Sequence, residues 1–316
     1  MNTTTVRNNP FPGLRPFRED EEQLFFGRES QVDAMVDKLA ATRFLAVVGV
    51  SGSGKSSLVN CGLRPALHLG LMAKAGTVWR VAQFRPGNNP IRAMAKALAR
   101  DGVVYTGPDN GRFSRTDIIE TSLRLSKAGL MDVYGQARLS PETNLLVVAD
   151  QFEELFRYRA LAAPQSGDGA SASEEATAFV NLLLAVRDPS EFPVYIALTM
   201  RSDFLGDCAQ FFGLPEAVSK GQYLVPRLTR DERRLAISGP IGVGGAQIAP
   251  VLLTRLVNDV GDDPDQLSIL QHALNRTWTR WALQDHDRRP IDLSDYQAVG
   301  TMTHALDQHA DEAYSE

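Results

Sequence analysis

The sequence predicts an α/β protein, a parallel sheet of strands alternating with helices, followed by an all-helical C-terminal part. Three observations carry that prediction. An apolar run from Phe44 to Val48 leads into the turn Gly49-Val-Ser-Gly-Ser-Gly-Lys55-Ser56 and then into a helix. A second apolar run, Leu145 to Ala149, has no polar interruption and ends in Asp150. Strands buried on both faces read as continuous apolar runs, and this is the mark of a parallel sheet. Around these runs, strand-like and helix-like segments alternate, whereas from about residue 229 only helical spacing remains.

Composition sets the outer bounds. A chain of 316 residues has room for about two domains. Its 43% hydrophobic and 22% charged content is that of an ordinary globular protein. A net charge of −5, from 33 basic and 38 acidic residues, gives no support for unselective binding to nucleic acid or to an anionic membrane. The first residues lack the apolar core of a signal peptide. No apolar run approaches the ~18 residues of a spanning helix. Cys61 and Cys208 are the only cysteines and offer neither a disulfide framework nor metal-ligand spacing, so a cytoplasmic location is expected.

In chain order, residues 1–24 are expected to be extended. Pro10, Pro12 and Pro16 fix φ and restrict their predecessors, while Phe11, Leu14 and Phe17 suit an apolar surface beneath. The turn Phe26-Gly27-Arg28-Glu29 precedes a helix whose Val32, Met35, Val36 and Leu39 share a face. Two readings of Phe26, Gly27 and Arg28 stand side by side: contact with a ligand's base or ribose, or a helix entry packed by phenylalanines. After the glycine turn come a short helix from Ser57 to Leu63, a new piece at Pro65, a strand over Val78–Phe84 and a helix from Ile91 to Ala99. Residues 101–116 read as loop and Ile118 to Ala128 as helix. After the Asp150 strand, Ala162 to Ser173 reads as surface loop, Glu174 to Val186 as helix, Phe192 to Met200 as strand and Gln222 to Val225 as a fifth strand. A helix opening at Thr229 is expected to stop near Ser238-Gly239-Pro240. Val251 to Val260 is helical. Asp263-Pro264-Asp265-Gln266 caps a helix carrying Leu267, Leu270, Leu274, Trp278 and Trp281 on one face. His304 and His309 are spaced poorly for a helical metal pair and read as solvated.

The chemistry follows from residue types. Gly49, Val50, Ser51, Gly52, Ser53, Gly54, Lys55 and Ser56 fit G-x-x-x-x-G-K-[ST], with Ser57 next in the helix. Glycines permit positive φ and close backbone approach, so consecutive N–H groups form an anion nest at a helix N-terminus. Lys55 is then the residue for β- and γ-phosphates, and the Ser56 hydroxyl a ligand for Mg²⁺. Asp150 at a strand's carboxyl end is the second metal-holding group. Glu153 is placed to activate water, and Glu154 either shares that role or starts a helix. Arg201, at the tip of the 192–200 strand, either senses the terminal phosphate or pairs with Asp203 at the surface.

Together these segments resemble the STAND P-loop ATPases, in particular the bacterial novel STAND group. The resemblance rests on Asn9 to Phe17, Phe26 to Glu29, Gly49 to Ser57, Asp150 to Phe156, Thr199 to Phe204 and Asp262 to Leu274. It implies an AAA+-like three-layer α/β/α domain over 25–228, with five parallel strands in the order 5-1-4-3-2. That order would set the Arg201 strand between the phosphate-loop strand and the Asp150 strand. It also implies a helical lid over 229–316, in which Pro264 contacts the nucleotide, although Ser268 stands where relatives align a lid proline. The implied ligands are ATP or ADP with Mg²⁺, and adenine over guanine rests on the resemblance alone. The implied behaviour is that of a switch: closed with ADP, opened by a trigger on a C-terminal sensor, self-associating with ATP. Residues Tyr314 to Glu316 fall where a winged-helix domain would begin, so the resemblance implies a truncated ATPase core. Slow hydrolysis is the expected activity; a nucleotide-bound scaffold with little turnover, or a DNA-handling AAA+ relative, are the alternatives.

Overall fold

The structure, a computed structural model, describes residues 8–104, 113–162, 169–187, 192–261, 266–284, 289–302 and 304. The described residues fall into two compact units. One lies within Asp33–Gly49 and Ala66–Val225; the other lies within Met1–Val32, Val50–Pro65 and Pro226–Glu316.

The first unit holds a sheet of five parallel strands: β1 (Phe44–Gly49), β2 (Trp79–Phe84), β3 (Asn144–Ala149), β4 (Val194–Arg201) and β5 (Gln222–Leu224). Their order is β2-β3-β4-β1-β5, the order 5-1-4-3-2 that the resemblance implies. Every residue of β1 and β3 is buried, as unbroken apolar strands require when helices cover both faces. The register fixes what meets at the carboxyl edge. Gly49 lies opposite Arg201, Ala149 opposite Leu198, and Phe84 opposite Ala149. Ile91, Met94 and Leu98 from one helix and Phe179, Val180 and Leu183 from another join Ala46, Val48, Val147 and Ile196 in one core.

Two α-helices here have no counterpart in the sequence reading, Gly129–Gln136 and Leu214–Gly221. Both are short and contain glycine, so local propensity is weak. Burial of Leu130, Met131, Val133, Tyr134, Leu214, Ala217 and Val218 supplies what propensity lacks. The segment expected as loop up to Ser173 is already helical from Gly169, while residues 163–168 lie outside the described part.

In the second unit the N-terminal strap turns at Gly13-Leu14, where Gly13 has φ 72°, is extended at Arg18 and then forms a 3-10 turn, Glu19–Leu24, two features that the extended reading of 1–24 lacked. The Arg18 amide donates to the Glu21 carboxylate at 2.8 Å, and Arg15 pairs with the same carboxylate. Phe11 and Phe17 are buried, as expected, but Leu14 is exposed. Asn275 donates to the Phe11 carbonyl and Asn9 to the Asn275 carbonyl, tying the strap to helix Gln266–Leu283. Phe11 joins Ile237, Ile241, Leu252, Leu256, Leu270, Leu274, Trp278 and Trp281 in a second core.

The helix after Thr229 corrects an expectation. It does not stop at Ser238-Gly239-Pro240 but runs from Arg230 to Val243. An interior proline costs about 3 kcal/mol. Here Gly239 has no Cβ to clash with the proline ring, and Ile237 and Ile241, each worth about 1.5–3 kcal/mol when buried, straddle the break. Its start is a reciprocal cap: the Glu232 amide donates to Thr229 Oγ1 at 3.3 Å and the Thr229 amide to Glu232 Oε2 at 2.6 Å. Thr229→Ala is therefore expected to lower stability by about 1 kcal/mol, read as a shifted denaturation midpoint, with Thr229→Ser holding the parent value. Among the described residues no helix is long and apolar enough to cross a membrane.

Candidate nucleotide site

The phosphate loop takes the conformation its glycines were chosen for. Gly52 and Gly54 have φ of 69° and 86°, a region that favours glycine. A Cβ built on Gly54 would meet nothing within 4 Å, so backbone sign and not crowding demands glycine there. The Val50 carbonyl closes the turn: it accepts from the Ser53 amide at 3.4 Å, the Ser53 hydroxyl at 2.9 Å and the Lys55 ammonium at 2.7 Å. Ser51 is exposed and Ser56 half-buried. Ser57 is buried, and its hydroxyl accepts from the Phe17 amide at 3.2 Å. The helix opens at Lys55, widens into a π-turn over Leu58–Leu63 and continues as Arg64–His68, so no new piece begins at Pro65. A π-turn at this place is in keeping with their frequent occurrence at functional sites.

The Phe26-Gly27-Arg28 turn is built into the same unit. Arg28 is buried; it donates to the Pro226 carbonyl at 2.8 Å and to the Ser53 carbonyl of the loop at 3.3 Å. Gly27, at φ 79°, lies so close to the Glu232 backbone that a Cβ would sit 2.5 Å from its oxygen. Gly239 leaves the same kind of room for the Phe26 ring. Gln31 donates to Glu232 at 2.7 Å. Burial works against the Glu232 charge, but bonds from Gln31 and Thr229 and the nearby Arg28 outweigh it, and its carboxyl is held below the usual range. The packed-entry reading of this turn thus has its geometry, with Arg28 gripping the loop's own backbone. Pro264 lies outside the described residues.

In the sheet unit the acids stand at the carboxyl edge. Asp150 follows β3 and is 6% exposed. Thr199 of β4 donates to its Oδ1 at 2.7 Å, and Arg85, one residue beyond β2, holds Nε 3.9 Å from its Oδ2. Glu153 is buried and accepts from the Arg201 amide at 3.3 Å. Glu154 starts helix Glu154–Ala162, and its Oε2 accepts from the Gly87 amide at 3.1 Å, so it fastens the turn after β2. The Arg201 side chain donates through Nε and Nη2 to the Asp203 carboxylate and lies over the Phe204 ring. That hydrogen bond holds the Asp203 carboxyl below its ordinary range. The surface pair anticipated as one reading of Arg201 is therefore present. Away from these groups, burial pushes the Cys61 thiol up to about 12 and the Cys208 thiol up to about 11. Both therefore stay protonated and unreactive at neutral pH. His304 is exposed.

Sequence reasoning passed over Thr199 as a functional group and Arg85 altogether. The signal for Thr199 was available: it stands two residues before Arg201 on a strand, hence on the same face. Arg85 carried none, because only the pairing of β2 with β3 puts it beside Asp150.

The donor set suits the groups expected here. Left-handed glycines, a loop ammonium and a helix start suit a polyphosphate. The Asp150 carboxylate and the Ser56 hydroxyl, each taken in its own unit, are hard oxygen donors of the kind Mg²⁺ takes. Among the described residues no cluster of three His, Cys, Asp or Glu side chains offers an all-protein metal cage.

Comparison with solved structures shows the same fold. Aeropyrum pernix ORC2 in its ADP form aligns with a TM-score of 0.57 and 14% identity over 93% of this chain and 70% of that one. A chain of the Escherichia coli MS115-1 HORMA:CdnC:Trip13 complex aligns at 0.51 and 15% identity, over 90% of this chain and 92% of that one. Aeropyrum pernix ORC1 in complex with DNA aligns at 0.50 and 12% identity, over 94% of this chain and 70% of that one. No curated protein sequence matches the chain. The model of one family does, over residues 10–316, and with the phosphate loop, the Asp150 strand tip and the strand order in agreement, the chain belongs to the Novel STAND NTPase 1 family.

Proposed function

We propose that this NTPase is an ATP-dependent signalling switch that hydrolyses its nucleotide slowly and with Mg²⁺. The observation that carries the reading is the double anchoring of the acids by β4, with Thr199 bonded to Asp150 and the Arg201 amide to Glu153. Metal-holding and water-activating carboxylates must keep one geometry, and these two bonds hold Asp150 and Glu153 in one.

In this reading Lys55 neutralises charge on the transferring phosphoryl group. Ser56 and Asp150 would hold Mg²⁺, which would supply charge compensation for the phosphates. Glu153 orients the attacking water and takes its proton. Arg201 answers to the terminal phosphate. Its present partner Asp203 is exposed, and such pairs contribute little, so exchanging that carboxylate for a phosphate costs little. Arg28 acts through the Ser53 carbonyl, keeping the loop in shape, and Glu154 keeps the turn after β2 in place. Gly49 to Ser57, with Phe26 and Gly27, make up the rest of the nucleotide cradle, to which the family resemblance adds Pro264 as a nucleotide contact. Self-association with ATP bound, release by a trigger acting on a C-terminal sensor, and a cytoplasmic setting complete the proposal; the acidic balance argues against a nucleic-acid partner.

Glu153→Gln tests the chemistry. The amide oxygen can still accept from the Arg201 amide, but it cannot take a proton. Turnover is expected to fall by about 10²–10⁴ while ATP binding persists, so the variant isolates ATP-loaded protein. Single-turnover assays and the nucleotide content of the purified variant read this out. Parent-like turnover would remove Glu153 from its role.

A further inference from the structure

We propose that Thr199 is a positioning residue for Asp150, and that its hydroxyl sets the carboxylate in the orientation that receives the divalent ion of a bound nucleotide. The inference rests on the reading of Asp150 as the metal-holding acid. Thr199 is 1% exposed and stands where β4 passes the end of β3. Its hydroxyl donates to Asp150 Oδ1 at 2.7 Å and accepts from the Gln151 amide at 2.9 Å. Its carbonyl accepts from the Phe152 amide at 2.8 Å. One residue thus grips three successive positions of the acid turn.

The geometry gives the hydroxyl a definite polarity. The Gln151 N–H can only donate, so it takes a lone pair of Oγ1 and directs the hydroxyl proton to the carboxylate. Gln151 sits at φ 56°, a left-handed conformation that costs a non-glycine residue about 1–2 kcal/mol. The bond from its amide to Thr199 offsets that cost, so the turn and the carboxylate are held by the same atom. With Oδ1 engaged by a buried donor, the carboxylate cannot swing freely about its last torsion. Partners behind a metal ligand act in this way on affinity. Its proton goes to the carboxylate that the proposed function gives to the metal.

The test uses the whole chain and a fluorescent ATP analogue, titrated with MgCl₂ and again in EDTA, in the parent and in Thr199→Val, Thr199→Ala and Thr199→Ser. The parent is expected to bind more tightly with Mg²⁺ than without. Thr199→Val is expected to lose about tenfold of that gain while its affinity in EDTA stays unchanged, and Thr199→Ser to keep the gain. Thr199→Ala, too small to clash, repeats the measurement should valine disturb folding. Amide exchange at Gln151 is expected to speed up in both hydroxyl-free variants and not in serine. A full Mg²⁺ gain in Thr199→Val and Thr199→Ala would overturn the role of Thr199 and leave Asp150 untouched. A parent with no Mg²⁺ gain would overturn the reading of Asp150, and this proposal with it.

Discussion

Replacing Lys55 by alanine is expected to weaken ATP binding by about ten- to a hundredfold and to bring hydrolysis below detection. Hydrogen bonds to charged groups contribute about 1.5–3 kcal/mol, which sets the binding loss. Removing a group that meets charge developing in a transition state costs a further 10²–10³ in rate. The fold should hardly notice. The Lys55 ammonium donates to the Val50 carbonyl in an exposed bond, and that carbonyl keeps its bonds from Ser53. Calorimetric titration with ATP, phosphate release and a thermal melt separate these effects. Lys55→Arg is not expected to rescue, because a planar guanidinium does not replace a compact ammonium inside a tight loop. ATP affinity equal to the parent's in Lys55→Ala would dissociate the loop from phosphate binding and end the switch account.

The largest stability effect is expected at Gly221, the last residue of helix Leu214–Gly221. A Cβ there would lie 2.0 Å from the Phe44 carbonyl oxygen, 3.0 Å from its carbon and 3.2 Å from the Phe44 ring. The obstacle is backbone at the start of β1, a central strand with every residue buried, so it cannot step aside as a side-chain tip would. Gly221→Ala is expected to cost about 3 kcal/mol or more, and to lower the melting midpoint by roughly 10 °C. Gly242→Ala is the control. It too lies in a helix, its added Cβ would meet nothing within 4 Å, and alanine should stabilise by about 0.5–1 kcal/mol. Equal melting of the Gly221→Ala variant and the parent would contradict the packing described for β1.

The sequence by itself determined the parts whose physics is local. An unbroken apolar run followed by paired glycines, lysine and serine can only be read as strand, turn and helix start. The loop's left-handed Gly52 and Gly54 follow from that reading. The same holds for the β3 run ending in Asp150 and for the helix start at Thr229. The family resemblance, carried by motifs along the chain, supplied the strand order.

Tertiary structure decided whatever depends on contacts distant in sequence. Helix Arg230–Val243 passes through Pro240 because buried Ile237 and Ile241 outweigh a local penalty. Helices Gly129–Gln136 and Leu214–Gly221 exist because a core receives them. Arg28 turned inward to the Ser53 and Pro226 carbonyls, and no spacing rule announces a side chain's backbone partner. Asp150 acquired Thr199 on one side and Arg85 on the other only when β3 took its place between β4 and β2. Residue type and short-range periodicity are written along the chain; the neighbour across a parallel strand is set by register, and register exists only once the sheet has formed.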